Sequence, residues 1–194
     1  MLGGIKKANL YKDIAKDKYA EGVLKISRDN RDETLLKSAA NRLWWLGLYL
    51  KRPTDYLKKL LPEKGVLTKR FPTKNEYSDI KFGYKIAKKI AGADIGQTIV
   101  VKDRSVVAVE GMEGTDEVIK RANALCGEGA VVIKVARPKQ DMRFDVPLVG
   151  IKTIQSLIEA KASVLALERK RTYLIDKNSL IKLADDNNIS VVII

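Results

Sequence analysis

Three segments of this 194-residue chain carry polar side chains at spacings that could do chemistry. The densest is Lys134-Val135-Ala136-Arg137-Pro138-Lys139-Gln140-Asp141-Met142-Arg143-Phe144-Asp145-Val146-Pro147, which follows an apolar run and precedes Gly150. In extended backbone, residues two apart share a face, so Asp141, Arg143 and Asp145 would converge on one pocket. Carboxylate pairs hold hard cations or activate water, and Lys and Arg neutralise phosphate oxygens. A structural salt-bridge set is the competing reading. The second segment is Glu110-Gly111-Met112-Glu113-Gly114-Thr115-Asp116. Its glycines permit close approach, Thr115 can cap the helix that follows, and a helix N-terminus with free N–H groups cradles phosphate. Its acids would suit a magnesium ion bridging a diphosphate, while an ordinary capped turn is the plain alternative. The third, Asp94-Ile95-Gly96-Gln97-Thr98, offers a tight turn at Gly96 and a ligand-bonding amide at Gln97, and a loop-to-strand transition explains it nearly as well. Neither a Walker loop nor a dinucleotide fingerprint is present.

Composition narrows the chemistry further. The chain contains no histidine, which removes Ser-His-Asp and Cys-His nucleophiles, imidazole bases and His-ligated metals. One cysteine, Cys126, excludes an internal disulfide and a multi-Cys metal site, and its place after an apolar helical stripe makes it a packed structural thiol. A reducing cytoplasm fits this usage. With 45% hydrophobic and 31% charged residues the chain folds rather than staying disordered. No stretch reaches the ~18 apolar residues of a membrane span, and the start lacks a signal-peptide apolar core.

The net charge of +13 is uneven: residues 1–90 hold 22 Lys and Arg against 10 Asp and Glu, residues 91–194 hold 15 against 14. A basic half concentrates anionic lipid, nucleic acid or a phosphorylated substrate, or else serves as a solvated surface. Trp44, Trp45, Tyr49 and Tyr56 fall among apolar residues at helical spacing, which suits core or lipid-facing positions better than base-stacking platforms.

The elements that must position these residues change character along the chain. Leu35, Leu36, Ala39, Leu43, Leu46 and Leu50 predict an amphipathic helix from Asp32 to Leu50, with Asp32 and Glu33 at its dipole-favoured start. A short helix from Pro53 to Leu61, a connector from Glu63 to Pro72, and a helix from Glu76 to Ile90 closed by Gly92 follow. Thereafter β-branched runs alternate with helices. A hairpin of Gln97–Lys102 and Ser105–Glu110 leads to strands at Ala130–Ala136, Val164–Leu167, Thr172–Ile175 and Ile189–Ile194, with helices at Asp116–Leu125, Ile151–Ala160 and Ser179–Asn187. The expected architecture is a mixed-sheet α/β domain over residues 63–194, preceded by a mainly helical part over residues 1–62. That first part has helices with no strands of its own to cover.

The three segments together resemble the UDP-2,3-diacylglucosamine pyrophosphatases of the LpxI type. The likeness rests on Asp94–Val101, Ala108-Val109-Glu110 with Glu113–Asp116, Lys134 with Lys139–Pro147, and Gly150–Thr153. It runs over residues 66 to 194, and Gly65-Val66-Leu67-Thr68 looks like the family's entry to its C-terminal domain. The resemblance implies magnesium-dependent hydrolysis, with manganese as an alternative ion, of UDP-2,3-diacylglucosamine in lipid A synthesis. Water attacks the α-phosphorus and yields UMP and 2,3-diacylglucosamine 1-phosphate. Carried over to this chain, Asp141, Arg143 and Asp145 are catalytic. By the same resemblance Asp141, Asp145, Glu113 and Asp116 are expected as metal ligands, and Gly114, Thr115, Lys134, Lys139, Gln140 and Gln97 as substrate contacts. Which of Asp141 and Asp145 binds metal and which positions water stays open. The resemblance also implies a homodimer at the cytoplasmic face of the inner membrane, with no nucleic-acid partner. Family members open with a Rossmann-like strand and glycine-rich turn before a segment like Met1–Lys7, so the helical part reads as the remnant of a Rossmann-like domain. The alternative is a non-catalytic basic module for anionic lipid or nucleic acid.

Overall fold

In the computed structural model the described residues are 32–194, with Lys18, Glu21, Gly22 and Lys25 before them. The likeness at Met1–Lys7 falls outside the described residues, as do the side chains of Asp32 and Glu33. The chain divides into two compact units. One holds Met1–Tyr56 with Asp141–Asp145; the other holds Leu57–Gln140 with Val146–Ile194. Among the described residues no helix is long and apolar enough to cross a membrane.

In the first unit, α1 spans Asp32–Trp45 and α2 spans Pro53–Tyr56. The helix expected to reach Leu50 stops at Trp45 because Gly47 takes a left-handed φ of 77°. There its N–H donates to the Trp44 carbonyl (2.9 Å) and the Leu48 N–H to the Leu43 carbonyl (3.0 Å), the two bonds of a Schellman turn. Beyond it the expected helix over 53–61 is only α2 and a separate 3₁₀ turn, Lys58–Leu60. The core reading of the aromatic cluster does not hold: Trp44, Trp45, Tyr49 and Tyr56 are all more than half exposed.

The second unit is a mixed α/β domain, as the alternation of strands and helices predicts. Its elements are β1 (Gly65–Val66), α3 (Lys74–Gly92), β2 (Thr98–Lys102), β3 (Ser105–Val109), α4 (Thr115–Cys126), β4 (Val131–Lys134), β5 (Leu148–Val149), α5 (Ile151–Glu159), β6 (Val164–Leu167), β7 (Tyr173–Leu174), α6 (Lys177–Asp186) and β8 (Ser190–Ile193). Six strands form a sheet in the order β1-β8-β6-β4-β2-β3, and β5 pairs with β7 in a separate two-stranded ribbon. Strands β4, β6 and β8 are parallel, whereas β1 is antiparallel to β8 and β2 to both neighbours.

Alternation of side chains sorts the sheet into two faces. Val100, Val132, Leu165, Leu167 and Val191 pack with α4, α5 and α6 residues such as Ile119, Leu157 and Leu180. Ile99, Val101, Ile133, Val164 and Ala166 pack with Ile80, Ala87 and Ala91 of α3. The segment expected to be a plain connector supplies β1. Its two residues pair with β8, too short a run to register as a strand by pattern alone.

Local chemistry sets the ends of these elements. The hairpin turn places Asp103 and Arg104 at φ of 50° and 57°, the type I′ geometry that matches strand twist, and Asp79 accepts both amides (3.1 and 2.6 Å). Gly92 is the last helical residue of α3 rather than its cap; Ala93 caps, and the left-handed position falls at Asp94 (φ 59°). α3 begins with a capping box between Thr73 and Glu76.

Glu76 also accepts from Arg70 at 2.7 Å. Burial alone would raise the Glu76 carboxyl, but the Arg70 bond and the Thr73 amide hold it below the usual glutamate range. A depressed folded-state pKa contributes stability above the unfolded value of about 4.3 and loses it as pH falls through the folded value. Glu76→Gln is therefore expected to flatten the acid limb of a stability-versus-pH curve below pH ~4.3, read by urea denaturation. An unchanged acid limb would refute the assignment.

Candidate active site at the sheet edge

Strands β3, β4, β6 and β8 end, and β2 begins, on one edge of the sheet. In open α/β sheets the crevice beyond the carboxyl ends of the strands is where ligands bind. In the antiparallel register Thr98 lies opposite Lys134, so the first residue of β2 and the last of β4 present their side chains to the α4 face together. The N-terminus of α4 meets them there. The buried Thr115 hydroxyl donates to Glu110 Oε1 (2.9 Å) and accepts from Lys134 Nζ (2.7 Å), and Thr98 Oγ1 lies 3.4 Å away. The other Glu110 oxygen accepts the Gln97 amide N–H at 3.1 Å.

Thr115 therefore does not cap α4. Gly114 is the N-cap, at φ 88° and with no side-chain bond, because the Thr115 hydroxyl is committed to Glu110 and Lys134. This leaves first-turn amides of α4 without a side-chain cap, beside a lysine ammonium at the end of β4, which is a phosphate-type environment.

The loop after β4 continues the edge. Arg137 Nε donates to Asp94 Oδ1 at 2.6 Å, and the Arg137 N–H donates to the buried Gln140 side-chain oxygen at 3.0 Å. With its oxygen turned toward the donor, the Gln97 side chain accepts from Arg137 Nη1 and its nitrogen donates to the Val135 carbonyl, both at 3.1 Å. Gln97 and Gln140 thus hold the Arg137 segment from two sides. Lys139 is exposed. On the α3 face of the same edge, Lys88 Nζ donates to both Glu168 oxygens (2.8 and 3.1 Å) and to the Ala136 carbonyl (2.8 Å), while Glu168 accepts the Ala136 N–H (2.8 Å).

The acidic candidates behave differently from the sequence expectation. Glu113 folds back along α4: its oxygens accept from Arg121 (2.6 Å) and from the Gly111 amide (2.9 Å), and the Arg121 bond holds its carboxyl below the usual range. Asp116 sits in the first turn of α4.

Within the first unit, Asp141–Asp145 is a turn, not the extended backbone on which the shared face of Asp141, Arg143 and Asp145 rested. The Asp141 side chain accepts the Arg143 N–H at 3.1 Å and the Asp141 carbonyl accepts the Phe144 N–H at 3.2 Å. An aspartate that bonds the amide two residues on closes a turn by itself. Arg143 then folds onto the carboxylate through Nε (3.0 Å) and Nη2 (2.8 Å), with its guanidinium 4.9 Å from the Phe144 ring centre. This bidentate pairing holds the Asp141 carboxyl below the usual range and Arg143 above its own; the charge of Lys37 adds to the first effect.

Among the described residues no three carboxylate or thiol groups gather as a preformed metal cage. The donors are nonetheless of the right chemistry for a hard ion. Magnesium is commonly held by one or two carboxylates with substrate phosphates completing the shell, so a cage is not required.

Sequence comparison joins these observations. Residues 63–192 match the family model of the LpxI C-terminal domain. The chain belongs to this family. It is also 29% identical over 163 residues, 80% of its length, to the UDP-2,3-diacylglucosamine pyrophosphatase LpxI of Caulobacter vibrioides. It spans 58% of that relative's length. The matched region contains Glu110, Thr115, Lys134 and Arg137, so the sheet-edge cluster lies wholly in the LpxI C-terminal domain. Glu168 carried no role in the sequence reading, while Glu110 and Arg137 were read only as one acid and one cation of their segments. Glu110 had a readable signal, a carboxylate at the end of an apolar run just before a glycine; Glu168 stood at the end of Val164–Leu167 in the same way.

Proposed function

We propose that the chain hydrolyses the diphosphate of UDP-2,3-diacylglucosamine in lipid A synthesis. The observation that carries this reading is the LpxI family match over the segment that builds a cationic, amide-rich sheet edge. Water attacks the α-phosphorus, its bond to the bridging oxygen breaks, and UMP and 2,3-diacylglucosamine 1-phosphate separate with one proton released. Lys134, the amides from Gly114 and Thr115, and Lys139 neutralise diphosphate oxygens as charge builds. Gln97 and Gln140 orient the substrate and the loop that carries the cations. Asp141 or Asp145 would position the water or hold magnesium or manganese, Glu113 and Asp116 are the further carboxylates that would hold it, and the ion would supply Lewis acidity to a phosphoryl oxygen. Arg143, released from Asp141, offsets phosphate charge. The enzyme works as a homodimer, in the cytoplasm and peripheral to the inner membrane, where such a substrate resides.

The test is UMP release from detergent-dispersed UDP-2,3-diacylglucosamine by the purified chain, with magnesium and with a chelator. Turnover is expected to require the ion and to fall more than about tenfold in Asp141→Ala, Asp145→Ala and Lys134→Met, all with unchanged circular dichroism. Wild-type turnover in all three variants would remove these assignments. No turnover by the parent chain under any ion would overturn the reading in favour of a non-catalytic module.

A further inference from the structure

The first unit carries a surface that hydrolysis does not use. The Schellman turn at Gly47 ends α1 at Trp45, so that Trp44 and Trp45 close the helix and residues 46–50 leave it. Trp44 is 55% exposed, Trp45 78%, Tyr49 67% and Tyr56 73%, and Leu46 and Leu48 are more than half exposed. The two indoles meet edge to face at 5.3 Å. Arg42, Lys51 and Arg52 are exposed around them, and Asp55, the one acid in residues 42–56, faces Arg52 at 3.4 Å.

Contiguous exposed apolar residues on this scale mark an interaction surface. Trp and Tyr suit a boundary where one end of the ring is apolar and the other wet, the headgroup level of a bilayer. The flanking cations complement an anionic lipid surface. Leucines interleaved with the rings argue against nucleic acid, since aliphatic side chains offer no stacking plane.

We propose that residues 44–56 are a membrane-docking element whose indoles enter the headgroup region of anionic bilayers. The proposal rests on the lipid-substrate reading for its purpose, but membrane docking itself is read without the reaction. Trp44 and Trp45 are the chain's two tryptophans, so intrinsic emission reports this element alone. The purified chain is titrated with vesicles of phosphatidylglycerol and phosphatidylethanolamine, and with neutral phosphatidylcholine vesicles, at low and high salt. With anionic vesicles, emission is expected to move to shorter wavelength and to be quenched by brominated acyl chains. Co-sedimentation is expected to fall at least about tenfold in Trp44→Ser/Trp45→Ser and in Lys51→Glu/Arg52→Glu, with UMP release from detergent-dispersed substrate unchanged. Emission unmoved by vesicles would overturn the proposal. So would short-wavelength emission without lipid that tracks protein concentration, the sign of a second copy covering the patch. Insertion without UMP release would support the docking element and refute the pyrophosphatase reading alone.

Discussion

Gly96→Ala is expected to destabilise the second unit by about 3 kcal/mol or more, beyond the usual range for one added methyl group. A Cβ at this position would lie 2.0 Å from the Glu110 carbonyl oxygen and 2.7 Å from its carbonyl carbon. Both atoms are backbone, so no rotamer relieves the overlap and the chain itself must move. Both chains at this contact resist that movement: the Gln97 N–H is bonded to Glu110 Oε2, and the Glu110 N–H donates to the Thr98 carbonyl at 2.9 Å. The start of β2 and the end of β3 would have to part, carrying Glu110 away from Thr115. Contrast Gly83, where an added Cβ would meet the tip of Ile133 at 2.2 Å and Val101 at 2.8 Å, side-chain atoms that can repack. Urea denaturation measures the effect. A midpoint within error of the parent would show that the close approach is relaxed in solution.

The second large effect is expected from Glu168→Ala. Its carboxylate accepts from Lys88, from the Ala136 amide and from the Tyr84 hydroxyl (3.3 Å), and both members of the ion pair are mostly buried. Truncation leaves an ammonium without its counter-charge and an amide without an acceptor, a loss of about 3 kcal/mol. The same substitution frees the loop that presents Arg137, so the UMP release proposed for this chain is expected to fall with stability. Glu168→Gln keeps an acceptor for the amide and is expected to recover part of the loss. Tyr84 gives an independent readout: burial first, and then the Glu168 carboxylate, hold its hydroxyl above the ordinary tyrosine value. Its titration is expected to move down in Glu168→Gln. A Tyr84 titration unchanged in that variant, with stability also unchanged, would dissolve the assigned network.

Much of the second unit was legible because its strands are short apolar runs between turn residues. Val164–Leu167 is buried on both faces and reads without ambiguity, and Asp103-Arg104 marks its hairpin. β1 and β5 were not legible. Each is two residues long and exists only through a distant partner: β1 through β8, β5 through β7. The site was half legible. Gln97, Thr115 and Lys134 come together, but around Glu110, whose centrality depends on how the hairpin and α4 meet in space. The regular spacing of Asp141, Arg143 and Asp145 misled, because an aspartate that bonds a nearby amide prefers a turn to an extended strand. The pairing of Glu113 with Arg121 was not legible either, since only the helix brings the two within reach.

The place of β8 in the sheet has a consequence for the order of assembly. Gly65 finds its partner in Ile193, and β8 itself lies between β1 and β6. The hairpin of β2 and β3 can form from neighbouring residues, whereas the β1 edge must wait until β4, β6 and β8 have been laid side by side. Closing so long a loop is an entropic cost met only after the parallel core exists. During that wait β8, which consists of Ser190 and the apolar Val191, Val192 and Ile193, presents an unpaired row of amides and carbonyls that a neighbouring nascent chain can template. A two-residue strand thus serves as a guard, covering the open side of β8 at the moment folding ends.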